Sequence, residues 1–147
     1  MQSSGYKLVR LANGVHSVHS LAHRETFHPV IGPVAEAEAL YVKQLRLVER
    51  IRGHPGEFVI WDVGLGAAAN ALTVLRATRG LECAVRLVSF DNTVEPLVFA
   101  LRNAESLAYF SDYLPYVRHL VPHRRISFDN GGHAVQWKLM LADFPAL

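Results

Sequence analysis

The sequence is poor in several things, and each shortage narrows what the protein can be. A single cysteine, Cys83, in 147 residues excludes an internal disulfide framework. Nothing near it in sequence points to an activated thiol, so it reads as a small buried hydrophobe. No apolar run approaches the roughly 20 residues that a membrane-spanning helix needs. Met1-Gln2-Ser3-Ser4-Gly5 also lacks the apolar core of a secretory signal. The expectation is a cytoplasmic protein without a membrane partner. Internal repeats, low-complexity segments and a recognisable linker are absent, so residues 1–147 read as one domain, with an N-terminal hairpin and helix over 1–56 and a core over 57–147. Eight histidines are present. His16 and His19 point to opposite faces of a strand, and no Cys or carboxylate cluster joins them or His23, so no metal site is expected. Net charge is small, formally +2, with a calculated pI near 8.9. That balance permits an RNA partner without arguing for one.

What the sequence does contain is a hydrophobic half, 50% of its residues, organised around Phe58 to Asn70. Phe58-Val59-Ile60-Trp61-Asp62-Val63 is an apolar run interrupted by one acid, and it meets Gly64 and Gly66 before a stretch of small and apolar residues from Ala67 to Ala77. The pattern predicts a buried parallel strand, a tight turn and a helix. Glycines let the backbone approach a ligand, and the first amides of the following helix have no partners and carry positive potential. Asp62 sets the ligand class, because a carboxylate at the strand end suits a cationic amino group and repels a pyrophosphate.

On either side, the chain reads as alternating strands and helices. Tyr6 to Leu11 and Val15 to Ala22 flank an Asn13-Gly14 turn, a hairpin signal. Pro33 opens a helix to about Arg52, with Val34, Ala37, Leu40, Tyr41, Leu45, Val48 and Ile51 along one stripe. Ala84 to Asp91 reads as the second parallel strand, followed by a helix to about Ser106. Leu107 to Val121 is aromatic-rich and helical in spacing, with Pro115 expected to split or kink it. Arg125 to Phe128 and His133 to Ala142 form a second hairpin across Asp129-Asn130-Gly131-Gly132. The fold class is therefore α/β, a Rossmann-like parallel sheet with helices on both faces. It stops short, at Leu147, straight after the third parallel strand, where such sheets have five or more. The expectation is an incomplete C-terminal half, or a sheet completed by a second copy or a partner chain.

Three acids, Asp62, Asp91 and Asp143, stand at three predicted strand ends, where the ligand crevice of an open α/β sheet lies. An adenosine-type ligand suits them: Asp91 can accept hydrogen bonds from ribose hydroxyls and Asp143 from an exocyclic amine. The plainer reading is that they cap helices. Gly64-Leu65-Gly66-Ala67-Ala68-Ala69 also fits the dinucleotide pattern, so an NAD-binding oxidoreductase domain stands as an alternative, with Asp62 against it.

Trp61-Asp62-Val63-Gly64-Leu65-Gly66-Ala67-Ala68-Ala69-Asn70-Ala71-Leu72, Leu87-Val88-Ser89-Phe90-Asp91, and Phe27-His28-Pro29-Val30-Ile31-Gly32-Pro33 with Glu36-Ala37 and Leu40-Tyr41-Val42 resemble the MnmC-like methyltransferases. The similarity runs from about Gly14 to Leu147. It implies a class I methyltransferase fold binding S-adenosylmethionine, with Gly64, Gly66 and Asn70 in the first motif, Asp91 on the ribose and Asp143 near the adenine. It further implies methylation of an aminomethyl group on a tRNA wobble uridine. Three departures accompany it. Ala68 stands where the family usually has another glycine, and Asp91 where Glu is more usual. The family's following Asp-Gly-Phe strand and the flavin-dependent oxidoreductase half are not in this sequence.

His28 lies in the family-like His-Pro-x-x-Gly-Pro turn and is the candidate substrate contact, unless it simply pins that turn. No residue stands out as a catalytic base. Methyl transfer to a neutral amine asks the enzyme chiefly for positioning, and solvent can take the proton. Arg118, His119, His123, Arg124 and Arg125, interleaved with Tyr113 and Tyr116, form a candidate RNA-facing patch. A solvated helix end, where cations are favoured, is the plainer account of it.

Overall fold

The computed structural model describes residues 5–21, 25–26, 47–52 and 56–142. The N-terminal hairpin forms as its Asn-Gly turn predicts. Tyr6–Arg10 (β1) and His16–Ser20 (β2) run antiparallel, with Gly14 at φ +87° and Asn13 Oδ1 accepting the Val15 N–H at 3.1 Å. Glu25–Thr26 (β3) adds a short strand to β2. Val18 carries the hairpin into the main core, and Tyr6 tilts against Phe99 at 6.1 Å. Leu47–Arg52 (α1) is the described end of the helix expected from Pro33, and the rest of its apolar stripe lies outside the described residues. Ile51 on α1 is buried against Val74, Cys83, Phe58 and Ile60.

The main sheet begins at the apolar run. Phe58–Val63 (β4), Val85–Asp91 (β5) and Ala134–Leu141 (β7) are parallel, and Arg125–Asp129 (β6) pairs antiparallel with β7, giving the order β4-β5-β7-β6. Ala69–Ala77 (α2) joins β4 to β5. Glu95–Arg102 (α3), Ala104–Leu107 (α4), a 3₁₀ turn at Ser111–Tyr113 and Leu114–His123 (α5) lead from β5 to β6. The β-α-β-α-β order read from the sequence is thus the observed one, with element ends within a few residues.

Two differences are physical. The aromatic stretch is not one helix split at Pro115: the chain breaks at Ala108, which takes φ +67°, and Pro115 sits in the first turn of α5. There its missing N–H leaves no helical bond unmade. The strand β4, expected to be buried, is half exposed. Ile60, Leu87 and Trp137 face the helices in register, whereas Trp61, Val88 and Lys138 share the opposite face. Leu72 and Leu75 of α2, Leu97 and Ala100 of α3, and Val117 and Leu120 of α5 close one core over the first face. On the second, Val59, Trp61 and Val63 are 49%, 62% and 57% exposed, and no helix among the described residues covers them. Apolar residues on both faces of a strand are what a doubly covered parallel sheet needs. One of the two covers is present among the described residues. No described helix is long and apolar enough to cross a membrane.

Candidate functional site

The chain leaves β4 through Gly64 and Gly66, both at positive φ, +87° and +53°. The Gly64 and Leu65 amides both donate to the Phe90 carbonyl, at 2.8 and 3.0 Å, which lashes the turn to the end of β5. A Cβ built on Gly64 would meet nothing within 4 Å, so the backbone there faces open space. Ala68, the residue before α2, also adopts a left-handed conformation at φ +70° although it is fully buried. This is the position where the family resemblance led one to expect glycine, and the backbone has kept the glycine-like geometry.

Asp91 closes the turn from the other strand. Its Oδ2 accepts the Gly66 N–H at 2.8 Å, and its Oδ1 accepts the Asn92 N–H at 2.8 Å and the Thr93 N–H at 3.4 Å. Helix capping, the plainer reading of this acid, is not its role: the Asn92 and Thr93 amides precede α3, which has no side-chain cap, and Asp91 instead binds the glycine turn 25 residues earlier in the chain. Each carboxylate oxygen keeps acceptor capacity beyond these bonds.

Asp62 points to the helix-covered face and is largely buried. Its Oδ2 accepts the Ser89 hydroxyl at 2.8 Å, and Ser89 Oγ in turn accepts the Trp137 indole N–H at 2.9 Å. Burial pushes the Asp62 carboxyl up to about 6; the Ser89 bond opposes that rise, and the negative charge of Asp91 adds to it. The two acids therefore sense one another across the glycine turn, and Asp62 is ionised at neutral pH with little margin.

Asn70, in the first turn of α2, holds a buried Oδ1 with no hydrogen-bond partner among the described residues, and Thr73 Oγ1 one turn on is in the same condition. Orphaned buried acceptors are rare in folded proteins and mark where a ligand, ion or water is due. Tyr109 fixes the turn from behind, its hydroxyl donating to the Ala67 carbonyl at 2.7 Å, while Arg76 of α2 donates to the Tyr109 carbonyl at 2.6 Å. Ser89, Trp137 and Tyr109 were not singled out by sequence reasoning. The available signal was a serine inside an otherwise apolar strand, since a buried hydroxyl must have a partner.

Comparison with known proteins comes down to fold. No protein-family model and no curated protein matches the sequence. Solved structures do. The crystal structure of MnmC2 from Aquifex aeolicus superposes with a TM-score of 0.68 at 18% sequence identity, over 97% of this chain. The chain has a Rossmann-like α/β fold, shared with that structure. It spans 44% of the length of that neighbour.

The structure thus brings Asp62, Gly64, Gly66, Asn70 and Asp91 together around one turn. His28 and Asp143 lie outside the described residues. The basic patch divides. Tyr113 is buried with its hydroxyl on Asn130, and Tyr116 stacks on Phe128 at 4.2 Å, so both tyrosines belong to the core region and not to an RNA-facing surface. Arg124 turns its guanidinium to the Val121 carbonyl. His119 and His123, stacked at 4.0 Å, instead line a groove of about 850 Å³ on the open sheet face, with Arg125, Arg86, Lys138 and Trp61. Among the described residues, no group of three or more His, Cys, Asp or Glu side chains gathers as metal ligands do.

Proposed function

We propose that this chain is the cofactor-binding part of an S-adenosylmethionine-dependent methyltransferase acting on the aminomethyl group of a tRNA wobble uridine in the cytoplasm. The observation that carries the reading is the pair of acids, Asp62 and Asp91, on neighbouring parallel strands beside a glycine turn whose Gly66 N–H is already bound by a carboxylate. A turn built for pyrophosphate presents such amides to the phosphates. Asp91 suits the ribose of either ligand, and the carboxylate of Asp62 beside the turn favours a ligand with a cationic end over NAD. The residues fit S-adenosylmethionine. Asp62 would meet its ammonium, Asp91 its ribose hydroxyls, and Asn70 Oδ1 would gain the donor that no described residue supplies. When bound, the cofactor supplies a methyl group on a sulfonium, the electrophile that a neutral amine attacks. The chain's own contribution is to bind, orient and exclude water. The tRNA acceptor rests on the sequence resemblance, and the cations of the open groove, Arg86, Arg125 and Lys138, are compatible with a polyanion.

The test is calorimetric titration of the purified chain with S-adenosylmethionine, S-adenosylhomocysteine and NAD. Micromolar binding of the first two without NAD is the expected result, and NAD binding alone would overturn the reading. A second reading, a non-catalytic unit whose open sheet face is covered by a second copy of this chain, is favoured by the exposure of Val59, Trp61 and Val63 on that face. Sedimentation equilibrium separates the two, since a dimer that binds none of the ligands supports the second.

A further inference from the structure

Asp62 is the end of a hydrogen-bonded row that crosses three strands. Asp62 on β4 stands opposite Ser89 on β5, and Ser89 stands opposite Leu139 on β7, two residues along the same face from Trp137. Ser89 is 0% exposed and Trp137 1%. The indole N–H donates to Ser89 Oγ at 2.9 Å, and Ser89 stands 2.8 Å from Asp62 Oδ2. An indole N–H can only donate and a carboxylate can only accept, so the direction of the row has no alternative while Asp62 is ionised. Trp137 occupies a lone pair of Ser89, and the one hydroxyl proton is left for Asp62. Two polar groups in the middle of an apolar sheet face are costly unless they satisfy each other, and apolar residues at both positions would pack without that cost.

We infer that Ser89, oriented by Trp137, is a positioning residue for Asp62, holding the carboxylate through Oδ2 to receive the ammonium of the bound cofactor. This rests on the reading of Asp62 as the ammonium's partner. The hydroxyl has two effects there. It restricts the carboxylate to one orientation, and it favours the charged form against burial and against Asp91. The interactions on Asp62 come from Ser89 and Asp91, both on β5; Trp137 on β7 reaches it through Ser89 and carries no charge, and α2 has no acid in its first turn. Loss of the hydroxyl therefore weakens the pair with a cation and moves the protonation of Asp62 toward neutral pH.

The experiment uses the full chain and two probes that share the nucleoside and differ in the amino-acid end: S-adenosylhomocysteine, which has the ammonium, and methylthioadenosine, which lacks it. Affinities are measured by calorimetry from about pH 5 to pH 8 for the wild type, Ser89→Ala and Ser89→Ala/Trp137→Phe. The double variant removes the indole donor that Ser89→Ala leaves orphaned, so a folded protein is available if the single variant melts early. In either variant, S-adenosylhomocysteine affinity at pH 7 should fall about tenfold, and the acid limb of its pH profile should move up by about one unit. Methylthioadenosine affinity should stay within about twofold. Equal losses for both probes, or an unmoved pH profile, would make Ser89 a packing residue and overturn the inference alone. A wild type that binds the two probes equally well at every pH would instead remove the ammonium reading of Asp62, and the inference with it.

Discussion

The carboxylate of Asp91 holds the amide of Gly66 at 2.8 Å, so the end of β5 and the glycine turn after β4 are a single unit. Asp91→Ala leaves the Gly66 and Asn92 amides without their acceptor. The expected cost is about 1–3 kcal/mol of stability, in the range for losing hydrogen bonds to a charged group. S-adenosylhomocysteine binding should be lost in the same variant. Asp91→Asn keeps one acceptor oxygen and should recover part of the stability, as urea denaturation of the two variants would show.

Asp62 trades stability for charge. Its carboxyl titrates near 3.8 when unperturbed and is raised to about 6 in the fold. Between those values the folded state binds more protons than the unfolded state, so stability falls as pH rises through this window and the loss is complete above it. Asp62→Asn removes that slope, keeps an acceptor for Ser89, and should stabilise the protein at pH 7 by about 2–3 kcal/mol. The same variant should bind S-adenosylhomocysteine poorly. Urea midpoints for both proteins from about pH 4 to pH 7 test the sign, because a wild type whose stability rises across that range contradicts it.

Ala68 holds a backbone conformation suited to glycine, at φ +70°, inside the core. Ala68→Gly relieves the left-handed strain and loses a buried methyl and some unfolded-state restriction, effects of opposite sign and similar size. The expected change is within about 1 kcal/mol. Ala68→Val, which puts a β-branched side chain at positive φ in a filled space, should cost about 2 kcal/mol or more. Thermal melting of the pair reads the difference directly.

These positions show what the sequence could and could not convey. The strand–turn–helix at Phe58 to Ala77 and the strand ending at Asp91 were legible because apolar runs, glycines and terminal acids each leave a local mark. Both hairpins were legible for the same reason, since Asn13-Gly14 and Asn130-Gly131-Gly132 are turn chemistry. The exposure of one face of β4 was not, because Val59, Trp61 and Val63 read as apolar whether or not something covers them. Pro115 suggests a break by residue type and is a beginning in the fold, since the stop lies at Ala108, a residue with no sequence signature for positive φ. The row from Trp137 through Ser89 to Asp62 was hidden because its members are 75 residues apart in the chain at the extremes, 137 less 62, and meet only through strand register.

Asn130 is the other place where a turn residue proves to be more. It is 1% exposed, and its side chain bonds three elements. Nδ2 donates to the Leu75 carbonyl of α2 at 2.8 Å and lies 3.2 Å from His133 Nε2, while Oδ1 accepts the Tyr113 hydroxyl at 2.7 Å. His133 Nδ1 meets the Cys83 carbonyl, so the ring carries its proton on Nδ1 and accepts from Asn130 at Nε2. The backbone amide of Gly80, just after α2, donates to the Asn130 carbonyl at 3.0 Å. The hairpin between β6 and β7 is thereby fastened to the far end of the helix that follows the glycine turn. Asn130→Ala leaves the Tyr113 hydroxyl and His133 Nε2 without that partner and the Leu75 carbonyl with the longer bond from Thr78 Oγ1, at 3.3 Å. It should cost about 2–4 kcal/mol, against about 1–2 kcal/mol for Tyr113→Phe, which removes one bond and its donor together. Because both variants break the same bond, the double variant should cost less than the sum of the two. Additive losses in urea denaturation would mean that the Tyr113 bond contributes nothing to the fastening.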